Sequence, residues 1–375
     1  MTAPSNRKGD HAVTTTDPTT TDPATVDQDR LEHLIHQFVG DFAATMHAAT
    51  VVIGDKLGLY KALAEHGPIT GADLAARTGY DTRLVEEWCN AQFVSGYAEL
   101  DGDGRFSLSP EQALVLADDS TPAYMVGAAS IASAVFKDEA AVREAFRTGK
   151  GLGWHQHDHD LFHGTERLFK PGYVGNLVTA WIPALDGVEV KLQAGATIAD
   201  VGCGHGASSI LLAETYPSCT VVGSDFHPGS IEVARKRAAD AGVADRVRFE
   251  VASAQDFTGT GYDLVCIFDA LHDMGDPLTG ARHIRDALAE DGTWLLVEPA
   301  APEHVSESVG NPVARVFHSA AVGICTPSAQ AQPGGYALGN QVPDSTWQQL
   351  LTEAGFTRFR RATETPLNRI FEVRR

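Results

Sequence analysis

Asp200-Val-Gly-Cys-Gly-His-Gly206 places one acid and three alternating glycines within seven positions. Ile198 and Ala199 read as the end of a short buried strand, and Ala207 to Glu214 as the helix that follows. Glycines at such a turn remove every Cβ, so a ligand can lie against bare backbone N–H groups at a helix N-terminus. Thr220-Val-Val-Gly-Ser-Asp225 reads as the next strand, ending in a carboxylate placed to grip ribose hydroxyls. Together they describe a site for a nucleoside cofactor.

The glycines alone leave that cofactor open, because Gly202-x-Gly204-x-x-Ala207 also satisfies the relaxed dinucleotide fingerprint. Three other features choose. Asp200 stands two residues before the first glycine, where it can hold the amino group of a positively charged methionine-type tail and would repel a pyrophosphate. Phe268-Asp-Ala-Leu-His-Asp273 follows the fourth strand and sets an ionisable pair at the carboxyl edge of the sheet. His272 has an ordinary pKa of about 6.5, suited to a general base, with Asp273 beside it to orient the ring. The chain closes in two extended runs, Thr357–Ala362 and Asn368–Val373, around a Pro-containing turn.

From Leu192 to Arg375 these features resemble the class I S-adenosylmethionine (SAM) methyltransferases. The resemblance implies an α/β domain, a Rossmann-like seven-stranded sheet with an antiparallel C-terminal hairpin. It implies that Asp200 and the backbone of Gly202, Cys203, Gly204 and Gly206 hold the amino acid tail, Asp225 the ribose, and Phe226 one adenine face. Phe268 and Asp269 are expected beside the cofactor. Ser253-Ala254-Gln255 follow the third strand, Arg248–Val251, where the family usually offers an acid to the adenine amino group. Ser253 stands at that place, so the contact is left open among Ser253, Gln255 and Asp256.

The elements that must position these residues need more than one domain, and 375 residues suffice for two plus connectors. Met1–Arg30, rich in Thr, Pro, Asp and Ser, reads as a disordered tail without the apolar core of a signal peptide. No apolar run is long enough for a membrane helix, so no membrane partner is expected. Five scattered cysteines, none spaced as CxxC, read as reduced thiols of a cytoplasmic protein.

Leu31 to Leu63 carries apolar residues at helical spacing (Leu34, Ile35, Phe38, Phe42, Met46, Val52, Ile53). Thr70 with Asp73 marks a helix start, Gly79 a stop, Thr82–Ser95 the next helix, and Tyr97–Leu108 a hairpin around Asp101-Gly-Asp-Gly104. This order is that of a winged-helix domain over residues 31–120. Its candidate recognition helix has one basic residue, Arg83, and Val51 to Asp118 holds five Lys/Arg against eleven Asp/Glu. With a net charge of −20 for the chain, dimerisation and shaping of a pocket are expected in place of nucleic-acid binding. A homodimer through the N-terminal helices is the expected assembly.

A helical linker over 121–190 then supplies the pocket wall, with Trp154 and Tyr173 as candidate acceptor contacts. Trp154-His-Gln-His-Asp-His159 has metal-ligand residue types, but without a second such run it reads as a solvated loop. The methyltransferase domain is expected over 191–375, with a cap insertion over 300–344.

End to end, the winged helix, Gly164-Thr-Glu-Arg-Leu-Phe-Lys-Pro-Gly-Tyr173, the glycine loop, Leu271-His-Asp-Met-Gly-Asp-Pro277 and Asn368-Arg-Ile-Phe-Glu372 resemble one group of actinobacterial SAM methyltransferases. Related branches methylate α-keto acids at carbon. The resemblance implies a small-molecule acceptor and two competing mechanisms. In one, His272 deprotonates an acidic hydroxyl and the product is O-methylated. In the other, His272 and His318 hold a divalent or ferric ion that chelates a 2-oxo acid, and carbon is methylated. A SAM-responsive winged-helix regulator is the alternative that is not an enzyme.

Overall fold

The computed structural model describes residues 26–375. The tail expected over Met1–Arg30 therefore falls, up to residue 25, outside the described residues. Its last three residues already belong to the first helix, α1 (Gln28–Lys56).

The described residues divide into two compact units, one ending at Met46 and the other running from His47 to Arg375. Within the first, α1 carries Leu31, Leu34, Ile35, Phe38, Phe42 and Met46 along one stripe, each at least 41% exposed. That spacing is the apolar face of an amphipathic helix.

The second unit opens with α2 (Leu59–His66), α3 (Gly71–Thr78), α4 (Thr82–Val94) and the antiparallel hairpin β1 (Glu99–Leu100) and β2 (Phe106–Ser107). The single helical run expected over Leu31–Leu63 is broken at Gly58, whose φ of 69° is left-handed. Thr70 caps α3 by accepting the N–H of Asp73 at 3.1 Å. Asp101 holds the wing turn by accepting the N–H groups of Asp103 and Arg105. On α4, Arg83 is paired with Glu87 one turn away.

Next come α5 (Pro110–Leu116), α6 (Gly127–Lys137), α7 (Glu139–Thr148), α8 (His159–Asn176) and α9 (Val188–Ala194). Helices α6 and α8 cross where two glycines face each other. A Cβ on Gly127 would meet the Gly164 carbonyl at 2.6 Å, and one on Gly164 would meet the Gly127 carbonyl at 2.8 Å.

The rest is a doubly wound sheet: β3 (Thr197–Val201), α10 (Ala207–Thr215), β4 (Thr220–Asp225), α11 (Pro228–Asp240), β5 (Val247–Val251), β6 (Tyr262–Phe268), α12 (Pro277–Ala287) and β7 (Leu288–Pro299). After the insertion containing α13 (Pro312–Ala320) and α14 (Thr326–Gln330), α15 (Asp344–Glu353) leads into β8 (Arg358–Glu364) and β9 (Asn368–Arg374). The strand order is β5-β4-β3-β6-β7-β9-β8, parallel except where β9 pairs with β7 and β8. This is the seven-stranded arrangement with an antiparallel hairpin that the sequence predicts.

Each face of the sheet is buried, so strands read as continuous apolar runs. On β6, Leu264 and Cys266 join one core while Val265 and Ile267 join the other. The order reverses between β3 and β6, and a crevice outside the carboxyl ends at such a reversal is where these sheets bind ligands. Asp200, Asp225, Phe268 and Glu298 all stand at or near those ends. Among the described residues, no helix is long and apolar enough to cross a membrane.

Candidate functional site

Gly202, Gly204 and Gly206 adopt φ values of 76°, 52° and 79°, a region open to glycine and costly for other residues. The N–H groups of Gly202 and Cys203 both donate to the Ser224 carbonyl, at 2.8 and 3.0 Å. The Gly204 N–H donates to Asp225 Oδ2 at 3.0 Å. A Cβ on Gly204 would meet nothing within 4 Å, so this glycine faces open space. The loop is pinned from outside by α8, where Glu166 Oε2 meets His205 Nδ1 at 2.8 Å and Glu166 also pairs with Arg237.

Asp200 is fully buried. The Oγ–H groups of Ser208 and Ser209, on the first turn of α10, donate to its Oδ2 at 2.6 and 2.5 Å, while Oδ1 has no partner. Burial pushes its carboxyl up to about 6, against the pull of those two hydroxyls. Only Oδ1 is therefore left for the ligand tail expected from the sequence. Asp225 Oδ1 accepts the N–H of His227 at 2.8 Å, which together with Gly204 fixes the carboxylate in one orientation. Phe226 is 46% exposed, a bare ring beside that acid.

After β5, the N–H and Oγ–H of Ser253 both donate to Asp256 Oδ1, at 2.7 and 2.6 Å. Ala254 is buried, and the Gln255 N–H donates to Ser253 Oγ. At the end of β6 the Phe268 ring lies 5.2 Å from Tyr173 and 6.4 Å from Trp181. Asp269 has a φ of 50°, unusual for a residue with a Cβ. Its Oδ1 accepts from Asn368 Nδ2 at 2.6 Å and its Oδ2 is buried without a partner. Burial, reinforced by the charge of Glu298, pushes its carboxyl up to about 8. Tyr173 is raised well above the usual phenol range by burial and by the charges of Asp269 and Asp200.

His272 sits in the short turn Leu271–Asp273 and is 3% exposed. Asp273 was expected to orient it, but the structure gives that position to Glu298, whose Oε2 lies 2.6 Å from His272 Nδ1. Glu298 Oε1 also accepts the N–H of Leu271 at 3.2 Å. Adjacent residues diverge from the backbone, and Asp273 Oδ1 lies instead 3.3 Å from Nε2 on the other side of the ring. Burial would lower the pKa of His272, but the charges of Glu298 and Asp273 outweigh it and hold the imidazole well above 6.5.

His318 does not join this cluster. It lies on α13 with Nε2 3.2 Å from Ser308 Oγ. The third group near His272 and Asp273 is the Cys325 thiol, with potential ligand atoms of all three within 4.8 Å of one another. Burial and the charge of Asp273 push that thiol up to about 12.

The histidine-rich stretch is also not the solvated loop its composition predicts. Trp154–Gln156 forms a tight turn, Trp154 packs against the cluster of Leu161, Ile324 and Cys325, and His157 is buried. Asp158 caps α8 by accepting the N–H of Asp160.

Three buried oxygens around the carboxyl ends of β3, β4 and β6 lack partners: Asp200 Oδ1, Ser224 Oγ and Asp269 Oδ2. Each such atom costs about 1–3 kcal/mol if nothing meets it. Two are carboxylate oxygens and one is a hydroxyl, so the set suits a ligand with a cationic donor head. With the open cradle at Gly204 and the ribose-type acid at Asp225, these residues fit SAM.

Residues 192–354 match the family model of a methyltransferase domain, and residues 45–118 match that of an Rv2258c-like winged HTH domain. The chain is similar to the 27-O-demethylrifamycin SV methyltransferase of Amycolatopsis mediterranei, 37% identical over 109 residues, 28% of this chain and 40% of the relative. Matched stretches span between 23% and 42% of the length of the first curated relatives. Solved structures match far more of the chain. Mitomycin 7-O-methyltransferase superposes with a TM-score of 0.66 at 20% identity, covering 92% of this chain and 99% of its own. An O-methyltransferase family protein from Burkholderia thailandensis does so at 0.65 and 18%, covering 94% and 99%. At these identities the structural likeness speaks for the fold.

Proposed function

We propose that this chain, a class I SAM-dependent methyltransferase with an Rv2258c-like winged HTH domain in front, methylates a hydroxyl on a small molecule with His272 as proton acceptor. The observation that carries this reading is the buried Glu298–His272 pair at the carboxyl edge of the sheet. When bound, the sulfonium cofactor supplies an electrophilic methyl whose thioether leaves without acid assistance. Asp200 Oδ1, Asp269 Oδ2 and the Gly204 cradle would hold the tail, and Asp225 the ribose.

Everything else falls to the chain. A phenol-type hydroxyl must lose its proton as its oxygen attacks, and His272 takes that proton on Nε2. Glu298 accepts the hydrogen of Nδ1, fixing the tautomer and stabilising the imidazolium that forms. Because Glu298 and Asp273 strengthen the base, His272 suits an acidic hydroxyl and is neutral only toward higher pH. Phe268, Tyr173 and Trp181 form an aromatic cluster at the end of β6, the strand that leads into the His272 turn.

The test compares His272→Gln with the wild type. S-adenosylhomocysteine affinity by calorimetry should stay within a factor of about three, while methyl transfer falls about a hundredfold or more. Methyl transfer at wild-type rate in that variant removes His272 from the chemistry.

A second reading is favoured by the cluster of His272, Asp273 and Cys325. These groups suit a soft or borderline divalent ion, with Glu298 as the outer partner of the histidine. Such an ion would supply Lewis acidity to an α-keto acid. Its ligand set would contain Cys325 in place of His318, and metal analysis of wild type against Cys325→Ser decides.

The exposed stripe of α1 supports a homodimer, and the acidic balance of residues 51–118 supports a winged helix that binds no nucleic acid. Five free thiols suit a reducing cytoplasm. The antibiotic names of the relatives support a place in secondary metabolism. The divisions at residues 31, 121 and 191, with the cap over 300–344, are proposed from the order of the elements.

A further inference from the structure

Asp269 is held by a residue 99 positions further along the chain. Asn368 opens β9, is 5% exposed, and donates from Nδ2 to Asp269 Oδ1 at 2.6 Å. Asp269 lies just past β6, whose neighbour in the sheet is β7, with β9 next in order. The bond therefore reaches across the end of β7. The Asp269 backbone is fixed as well, its N–H donating to the Val297 carbonyl at 2.9 Å while φ stands at 50°. With Oδ1 occupied, Oδ2 is the buried oxygen left without a partner.

Asn368 is itself firmly set. Its N–H donates to Thr365 Oγ1 at 2.9 Å and its carbonyl accepts the Thr365 N–H at 2.8 Å, which closes the turn between β8 and β9. The Ala300 N–H donates to the Leu367 carbonyl at 2.8 Å, and Asn368 stands opposite Pro299 in the register of β7 and β9.

The donor is neutral, which matters chemically. A carboxylate only accepts, and an amide can orient it without cancelling its charge. A Lys or Arg in this place would form an ion pair and compete with a cationic ligand. Arg369, the next residue, belongs to the opposite face of the strand and is engaged by the Pro299 and Val342 carbonyls and by Asp344. Asp200 is treated alike, since the hydroxyls of Ser208 and Ser209 tie its Oδ2 and leave Oδ1 bare. Two buried acids thus each have one oxygen tied by neutral donors and one left over.

We infer that Asn368 is a positioning residue for the cofactor: it turns Asp269 so that Oδ2 meets the ammonium group of the amino acid tail. The closing hairpin then has a task beyond completing the sheet. The inference rests on the reading of the crevice as a SAM site and assigns no step of the transfer to Asn368.

The experiment titrates full-length protein by calorimetry with S-adenosylhomocysteine and with methylthioadenosine, which share the nucleoside and differ in the amino acid tail. In Asn368→Leu, affinity for S-adenosylhomocysteine should fall about tenfold, while that for methylthioadenosine stays within a factor of about two. Asn368→Ser, whose hydroxyl is too short to reach Asp269, should do the same and covers a folding defect in the first variant. Asp269→Gly, which suits the left-handed backbone there, should also lose S-adenosylhomocysteine affinity, and adding Asn368→Leu to it should lower that affinity no further.

Equal losses for the two probes make Asn368 a structural residue and overturn the inference. Losses that add in the double variant overturn it too, as does an unchanged S-adenosylhomocysteine affinity. Each of these outcomes leaves the methyltransferase reading standing. Wild-type protein that binds neither probe defeats the SAM-site reading instead.

Discussion

Glu166 on α8 holds His205 of the glycine loop at 2.8 Å, so the helix proposed to wall the acceptor side also fixes the turn proposed to cradle the cofactor. Although burial would raise the Glu166 carboxyl, its bonds to His205 and Arg237 win and bring it down to about 2. A depressed carboxyl stabilises the fold above its ordinary value of 4.5 and loses that contribution as pH falls toward 2. Glu166→Gln should flatten the acid limb of a thermal-melt series between those values. It should also weaken S-adenosylhomocysteine binding several-fold, and an unaltered limb would show that the pair is dispensable.

The pH profile reads the Glu298–His272 pair directly. A general base works deprotonated, and its pKa is held above 6.5 by Glu298 and Asp273. kcat/KM should therefore rise with pH through an apparent pKa higher than that of free histidine. Glu298→Gln removes one of those charges, so the limb should move to lower pH while kcat drops about ten- to a hundredfold. A limb that stays in place assigns the titration to another group.

Cofactor binding should release protons. At pH 7 Asp269, raised to about 8, carries a proton and Asp200, raised to about 6, only a small fraction of one, and an approaching ammonium group would displace them. Calorimetry at pH 7 in buffers of different ionisation enthalpy should report net release of up to about one proton per SAM. Asp269→Asn should abolish most of it. Heats independent of the buffer would separate these carboxyls from the ligand tail.

Asp225→Ala should weaken SAM by tenfold or more, about 1.4 kcal/mol for a lost charge-assisted bond. Asp225 also accepts the Gly204 N–H on Oδ2 and the His227 N–H on Oδ1, and Asp225→Asn keeps only one of these acceptors, so either variant loosens the loop as well.

The stripe on α1 predicts the assembly. Phe38→Glu with Phe42→Glu should convert a dimer to a monomer in light scattering at micromolar concentration. If wild type and variant scatter alike, the exposed face serves something other than a second copy.

The glycine loop, Asp225 and His272 were legible because each lies within a few residues of the strand end that presents it. The orienting partner was not. Glu298 lies 26 residues beyond His272 and reaches it only because β6 and β7 pair in parallel with Phe268 opposite Val297. Strand order leaves no local mark in sequence. Ser208 and Ser209 read as ordinary first-turn helix residues until their hydroxyls are seen on Asp200. His157 was obscured by its polar neighbours, since burial there is imposed by Trp154 and the Asp138 carboxylate. His318 matched a remote histidine pattern, but α13 aims it at Ser308.

The crossing of α6 and α8 leaves no room for sequence drift. A single methyl group added at Gly164 would drive into the Gly127 carbonyl and the Ile131 N–H, each at 2.8 Å, and lever the whole of α8 outward. That helix carries both Glu166 and Tyr173, so on the roles proposed for them one silent-looking alanine would be scored in a genetic screen as a double defect in cofactor and acceptor handling. Both faults would trace to a residue with no side chain and no chemistry of its own.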